Sequence, residues 1–188
     1  MKKLMILKVF ILCTLLTTSC KKDDDPGCVK EENFFEAEFD GEKIEPFYNQ
    51  GGGFGLYTLS LQRCFEKNDS WRLSCATKSG VALFISLMDV TQVGSYPISA
   101  GDPEHVAIDC AVENSLFVMD VATYSYSFIS SNDGVIEITE YDNGIGKMVG
   151  TFTAEMVSTT DPSVKKTITG RFNLNKSTLD NTRKPCWL

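Results

Sequence analysis

The chain is short of the residues that most protein chemistry uses. It has one histidine in 188 residues, and its 18 lysines and arginines face 25 aspartates and glutamates, for a net charge of −7. Nothing supplies the clustered positive surface on which nucleic-acid binding draws. No Cys-x-x-Cys occurs, and with it goes the usual spacing of a structural zinc site. A Gly-x-Ser-x-Gly elbow, a phosphate-binding glycine loop and a His-Glu-x-x-His are all missing. His105 stands in the polar stretch Asp102-Pro103-Glu104-His105 and reads as a solvated loop residue rather than a general base. Acid pairs such as Glu31-Glu32, or Glu137 with Glu140, are what the exposed faces of an acidic chain contain. No catalytic residue, metal ligand or cofactor is assigned. The chain also lacks an amphipathic helical stretch of useful length, an internal repeat, and any apolar run near the roughly 20 residues that a membrane helix needs.

What the sequence does contain begins with an address. Lys2 and Lys3 precede an apolar run over residues 4–16, which is the arrangement of a secretory signal peptide. Thr17, Thr18 and Ser19 lead into Cys20, after which the chain turns abruptly to Lys21-Lys22-Asp23-Asp24-Asp25. Small residues before a cysteine at this depth resemble the lipobox of bacterial lipoproteins, and the resemblance implies cleavage before Cys20 and acylation of its sulfur and amine. Losing residues 1–19 removes three lysines, leaving 15 bases against 25 acids and a net charge of −10. Several acyl chains anchor firmly where one is marginal, at about 0.8 kcal/mol per buried CH₂. Residues 21–33, rich in charge and holding Pro26-Gly27, read as a solvated tether. The Lys-Lys-Asp-Asp-Asp run resembles the export signal of Bacteroidetes-type surface lipoproteins, which implies an outer-membrane anchor facing outward.

Beyond residue 33 the apolar residues recur at spacing two, the period of a half-buried strand. Phe35, Ala37 and Phe39 alternate with glutamates, and Asp40-Gly41 suits a two-residue hairpin turn. Pairing Phe39 with Glu42 sets Glu38 against Lys43 and Ala37 against Ile44, charge to charge and apolar to apolar. The same period holds for Tyr57, Leu59 and Leu61, and for Val81, Leu83, Ile85 and Leu87. Tyr124, Tyr126 and Phe128 face one way and read as core, with Ser131-Asn132-Asp133-Gly134 turning the chain after them. Ile136 and Ile138 follow, then Asp142-Asn143-Gly144, then Met148, Gly150, Phe152, Ala154 and Met156. Past Asp161-Pro162, Ile168, Gly170, Phe172 and Leu174 complete the series, with Phe152 expected opposite Phe172 and Ala154 opposite Gly170. The pattern predicts an all-β domain, an antiparallel β-sandwich or flattened barrel, with a lipocalin-like closed barrel as the alternative.

An exported chain can keep disulfides. Cys64 and Cys75 flank an apparent hairpin near Asn68-Asp69, and a tight turn there would bridge them. The alternation of Leu59 and Leu61 with Leu73 prefers a register that puts the two sulfurs on opposite faces. Cys28 and Cys186 lie near the two ends of the domain, and domain termini often meet. Candidate ligand contacts are Phe47, Tyr48, Phe54 and Tyr57, which flank the glycine-rich stretch over residues 50–55.

Taken in order, Phe35-x-Ala37-x-Phe39-Asp40-Gly41, Gly94-x-Tyr96, Asp133-Gly134-Val135-Ile136-Glu137-Ile138, Gly150-Thr151-Phe152-Thr153-Ala154 and Ile168-Thr169-Gly170-Arg171-Phe172 resemble a Bacteroidetes-type lipoprotein family of unknown function. The resemblance spans most of residues 34–174 and implies a β-rich lipoprotein domain, without catalytic or binding residues to carry over. The expected organisation is a signal peptide over 1–19, a lipidated acidic tether over 20–33 and a single β-sandwich-like domain over 34–188. The expected function is a lipid-anchored, surface-exposed, non-enzymatic module that binds a glycan, peptide or partner protein. Its alternatives are a hydrolase acting on surface polymers and a structural subunit of an envelope or adhesive assembly. An open aromatic-lined groove would favour binding, convergent carboxylates in a deep cleft would favour hydrolysis, and an exposed edge strand would favour assembly.

Overall fold

Asp40 and Gly41 both take positive φ, 55° and 80°. That is the requirement of a type I′ turn, and it closes the hairpin of β1 (Phe34–Phe39) and β2 (Glu42–Ile44). Phe39 faces Glu42, Glu38 faces Lys43 and Ala37 faces Ile44, as the charges and apolar residues require. The structure, a computed structural model, describes residues 32–49, 56–64, 69–102, 113–181 and 185.

A short ribbon of β3 (Tyr48–Asn49) and β4 (Leu56–Tyr57) stands apart from the main sheet. The chain then runs through β5 (Leu59–Arg63), β6 (Trp71–Ala76), β7 (Val81–Leu87), β8 (Gly94–Pro97) and β9 (Ser115–Asp120). The long strands β10 (Ser125–Asp142), β11 (Lys147–Ser158) and β12 (Lys165–Asn175) follow, and a one-turn helix, α1 (Lys176–Leu179), ends the series. Ten strands form one antiparallel sheet in the order β2-β1-β12-β11-β10-β9-β7-β6-β5, with β8 beside β10. The sheet curls into a half-barrel around its own apolar face.

Among the described residues, β2 and β5 end the sheet without pairing to each other, so the sheet is a half-barrel rather than a closed one. The lipocalin-like alternative is therefore not the one adopted. Its hollow is filled by Phe35, Leu61, Trp71, Ile85, Ile136 and Phe172, all of which are essentially inaccessible. Each such side chain contributes about 1.5–3 kcal/mol by leaving water. The one-turn helix α1 packs on β5, and its Leu179 joins the core. Asn175 caps α1 by accepting from the Ser177 amide at 3.2 Å. At the C-terminal end of β5, Arg63 donates to the Asn143 carbonyl at 2.5 Å, and Asn143 donates to Asp69 at 3.1 Å.

Three sequence expectations change. The stretch over 131–134 does not reverse the chain. It lies inside β10, which runs 18 residues and absorbs the extra residues as a bulge between Ser130 and Gly134. Between β11 and β12, Phe152 lies opposite Gly170 and Ala154 opposite Ile168, while Phe172 faces Gly150. The register has slid by two residues from the expected one. A slide of two keeps every side chain on its face, so the core residues are those expected while their partners are not.

The third is the Cys64–Cys75 bridge, which does not form. Leu59 pairs with Cys75, Leu61 with Leu73 and Arg63 with Trp71. That register leaves Cys64 beside Ser70, to whose carbonyl its amide donates at 2.9 Å. Cys75 is a free thiol with no accessible surface. The pairing buries Leu59, Leu61, Leu73 and Cys75 on the core face and ends before Cys64. Cys28 and Cys186 lie outside the described residues, as do Cys20 and His105.

Candidate binding groove

Strands β5, β6, β7, β9 and β10 turn Leu61, Leu73, Leu83, Leu116 and their neighbours to the core, so alternate residues stand on the opposite face. On an ordinary solvated face these would be small and polar. Here several are aromatic. Ser74 faces Phe84, and Phe84 faces Phe117. Gln62 faces Arg72, and Met119 faces Tyr126. Gln62, Arg72, Ser74, Phe84, Met119, Tyr124 and Tyr126 line one shallow, open groove of about 450 Å³.

The rings are organised by contact with one another. Phe84 meets Tyr126 edge to face at 6.5 Å between centroids, and Tyr126 meets Phe117 at 5.7 Å. The Arg72 guanidinium lies over the Phe84 ring at 5.3 Å, a cation–π contact between β6 and β7. Between β5 and Arg72's own strand, the Ser60 and Ser74 hydroxyls are bonded at 2.7 Å. Phe117 belongs to the same row but is only 1% exposed. Residues 98–101 cover it, tied down by the Gly101 amide to Ser130 O at 2.8 Å and the Ala100 amide to Asn132 Oδ1 at 2.8 Å. A Cβ on Gly101 would stand 2.8 Å from the Phe117 ring, so the crossing requires glycine there. The aromatic row is thus capped at one end and open over Phe84 and Tyr126.

Tyr124 sits at the tip of the turn that joins β9 to β10, with φ of +52° and 80% of its surface exposed. A bulky residue in the left-handed region costs about 1–3 kcal/mol unless its surroundings hold it. The turn does hold it: Asp120 accepts from the amides of Ala122 and Thr123 at 2.8 and 3.3 Å. An aromatic ring is kept out in solvent beside the groove by a strained but braced backbone.

The expectation that Tyr124, Tyr126 and Phe128 face one way into the core is corrected here. A bulge between Tyr126 and Phe128 breaks the alternation, and Ser127 inside it donates to Val118 O at 3.2 Å. Phe128 stays on the core side, edge-on to Phe39 at 5.0 Å, while Tyr126 is delivered to the opposite face. One inserted residue makes half of the groove.

The ring set read from the sequence is placed elsewhere. Phe47 and Tyr48 are half-buried at the β3–β4 ribbon, where Tyr48 pairs with Tyr57. Tyr57 is a core residue whose hydroxyl donates to Asn33 O at 3.0 Å, and Phe54 lies outside the described residues. A signal for the real groove was present. Phe84, Phe117 and Met119 are large apolar residues on the wrong parity of strands whose other parity is already apolar.

Among the described residues, no carboxylate lines the groove, although the chain carries 25 acids. Glu137 accepts from the Ser95 hydroxyl at 2.6 Å and Glu140 pairs with Lys147 at 2.5 Å, each on its own partner away from the groove. Lys165 and Ser163 respectively hold Glu155 and Asp161 below the ordinary carboxylate range through hydrogen bonds, and neither borders the groove. Among the described residues, no three His, Cys, Asp or Glu side chains gather as metal ligands. Comparison with known proteins finds no match: no family model, curated protein or solved structure is similar to this chain.

Proposed function

We propose that this protein is a non-enzymatic binding module of the cell envelope, anchored by lipid at Cys20 and carrying its ligand across the Arg72–Phe84–Tyr126 face. The observation behind this reading is a set of large rings placed on the solvent side of a sheet whose core face is already filled. Exposed rings cost free energy in an unliganded protein, and an apolar surface kept in water marks a contact site. The groove is shallow and open, with polar groups between the rings, which suits a ligand laid along it better than a substrate enclosed by it. The anchor and outward placement rest on the lipobox-like residues before Cys20 and the acidic run after it.

Full-length lipidated protein in detergent, applied to an array of defined glycans and peptides, tests the reading. Retention of a ligand that Tyr126→Ala loses and that leaves no newly cleaved ends supports it. Cleavage of the ligand, or retention indifferent to Tyr126→Ala, overturns it.

A further inference from the structure

We infer that the groove's ligand is an uncharged polysaccharide, laid across the sheet face and stacked on Tyr124; this rests on the binding-module reading and adds its chemistry. Two observations carry it. The first is what the face withholds. Ser74, Phe84, Met119 and Tyr126 stand on β6, β7, β9 and β10, each of which is hydrogen-bonded to a strand on both sides. An extended peptide therefore finds none of the open backbone groups through which it adds to a sheet as a strand. Charge is withheld as well. Among the described residues the groove is lined by no acid, and its one cation, Arg72, lies over Phe84 and holds a further partner of its own. Among those residues a charged ligand meets no free countercharge, and an anionic one would also approach a chain of net charge −7. A folded protein partner would want a broad apolar patch. The other large apolar residues that are well exposed among those described, Val93, Ile145 and Val164, do not line the groove.

The second is what the face offers. Tyr124 keeps its ring in solvent from a left-handed backbone that suits glycine better, and Asp120 braces that backbone through the Ala122 and Thr123 amides. A ring presented in this way gives up little freedom when a ligand settles on it. A sugar has an apolar C–H face and a rim of hydroxyls, so it matches a ring with hydrogen-bonding groups around it. Tyr126 continues the ring surface towards Phe84. The two phenol hydroxyls, the Gln62 amide and the Ser74 hydroxyl supply the polar groups. The groove is too shallow and open to enclose a small molecule, whereas a chain of sugars can rest a few rings on it and leave the others in water.

The test uses vesicles of neutral lipid carrying the full-length lipidated protein. Fluorescent dextran, galactomannan and laminarin serve as uncharged polysaccharides, with polygalacturonate and a glycine–serine polypeptide as controls. The vesicles should retain at least one of the uncharged three about tenfold better than either control, a difference of one decade in affinity. Rising salt should leave that retention unchanged, because no ion pair carries it. Tyr124→Gly should lower it about fivefold or more, the scale of one lost aromatic contact. That variant also relieves the left-handed backbone, so its urea midpoint should hold or rise, and loss of ligand there is not loss of fold. Tyr124→Asn, also at ease in that backbone, should lose the ligand equally. Tyr124→Phe should keep retention within about twofold, since the ring carries the stack. Polygalacturonate retained as well as the uncharged chains, retention that salt abolishes, or no effect of Tyr124→Gly overturns the inference while the binding module stands. The polypeptide retained equally well overturns the sugar. A peptide or a charged glycan as the Tyr126-sensitive ligand of the array above makes the inference fall alone, and an uncharged glycan there supports it even where these three probes fail.

Discussion

The ring of Phe152 occupies the space where a side chain on Gly170 would stand. A Cβ there would lie 2.4 Å from Phe152 Cζ, and the two residues are direct cross-strand partners on β11 and β12. The same arrangement recurs two residues along, where a Cβ on Gly150 would meet the ring of its partner Phe172 at 3.0 Å. Phe152 also stacks on Phe35 at 6.0 Å, so the glycine gives the ring a place against the sheet from which it reaches β1.

Gly170→Ala should therefore destabilise by about 1–3 kcal/mol through overpacking, and Phe152→Ala by about 3–5 kcal/mol through loss of a buried ring. The double variant should cost clearly less than the two combined, because removing the ring removes the closest contacts and leaves the Glu36 carbonyl oxygen at 2.8 Å. Urea midpoints of all three decide this, and additivity would mean that the ring and the glycine do not meet.

Thr151 and Thr153 point away from the core on the same strand, and both are exposed. Thr151→Ala and Thr153→Ala should each change stability by no more than about 0.5 kcal/mol. A large loss at Thr151 beside a small one at Phe152, measured by the same urea midpoints, would place the strand one residue out of register.

Cys75 and Tyr57 set an alkaline limit. Burial raises the Cys75 thiol above its ordinary value of 9.0, with the nearby Glu45 carboxylate adding to it. Burial likewise raises the Tyr57 phenol above 10.0, with Cys75 as a further contribution. Both groups fold in their neutral form, so their contribution is complete below pH 9. It is lost as the pH climbs past 9 and then 10, where the unfolded chain ionises and the folded one does not. Urea midpoints should be level to about pH 9 and fall above it, more gently in Cys75→Ala. Iodoacetamide should leave Cys75 unmodified in the native protein and alkylate it in urea, as mass spectrometry would read.

Cys20→Ala should release the protein from membranes and leave the domain folded, because acylation needs that thiol and the charged tether after it cannot insert. Fractionation after a high-salt wash, with circular dichroism of the released protein, checks both halves. Variant protein still in the membrane fraction would contradict the lipid anchor.

Much of the core was legible in the chain because burial imposes a period of two on each strand separately. Phe35, Leu83, Ile136, Met148 and Phe172 could be assigned to the inner face without knowing their neighbours. The β1–β2 register was legible as well, since a two-residue turn of positive φ leaves only one pairing. The β11–β12 register was not, because the loop between Ser158 and Lys165 permits slides of two that keep every residue on its face. Gly170 and Gly150 chose among them by admitting the rings of Phe152 and Phe172.

The groove was invisible for a different reason. Tyr126 has the same sequence parity as Phe128, and only a one-residue bulge, held by Ser127 against β9, sends them to opposite faces. Arg72, Phe84 and Tyr126 belong to strands far apart in the chain, and nothing local sets one beside another. By itself the sequence determined an all-β domain, its inner faces and its hairpin turn, because alternation and turn geometry act over a few residues. Which outer residues meet was decided by the tertiary structure, because strand order, bulges and long-loop registers are settled only when the whole sheet packs its core at once.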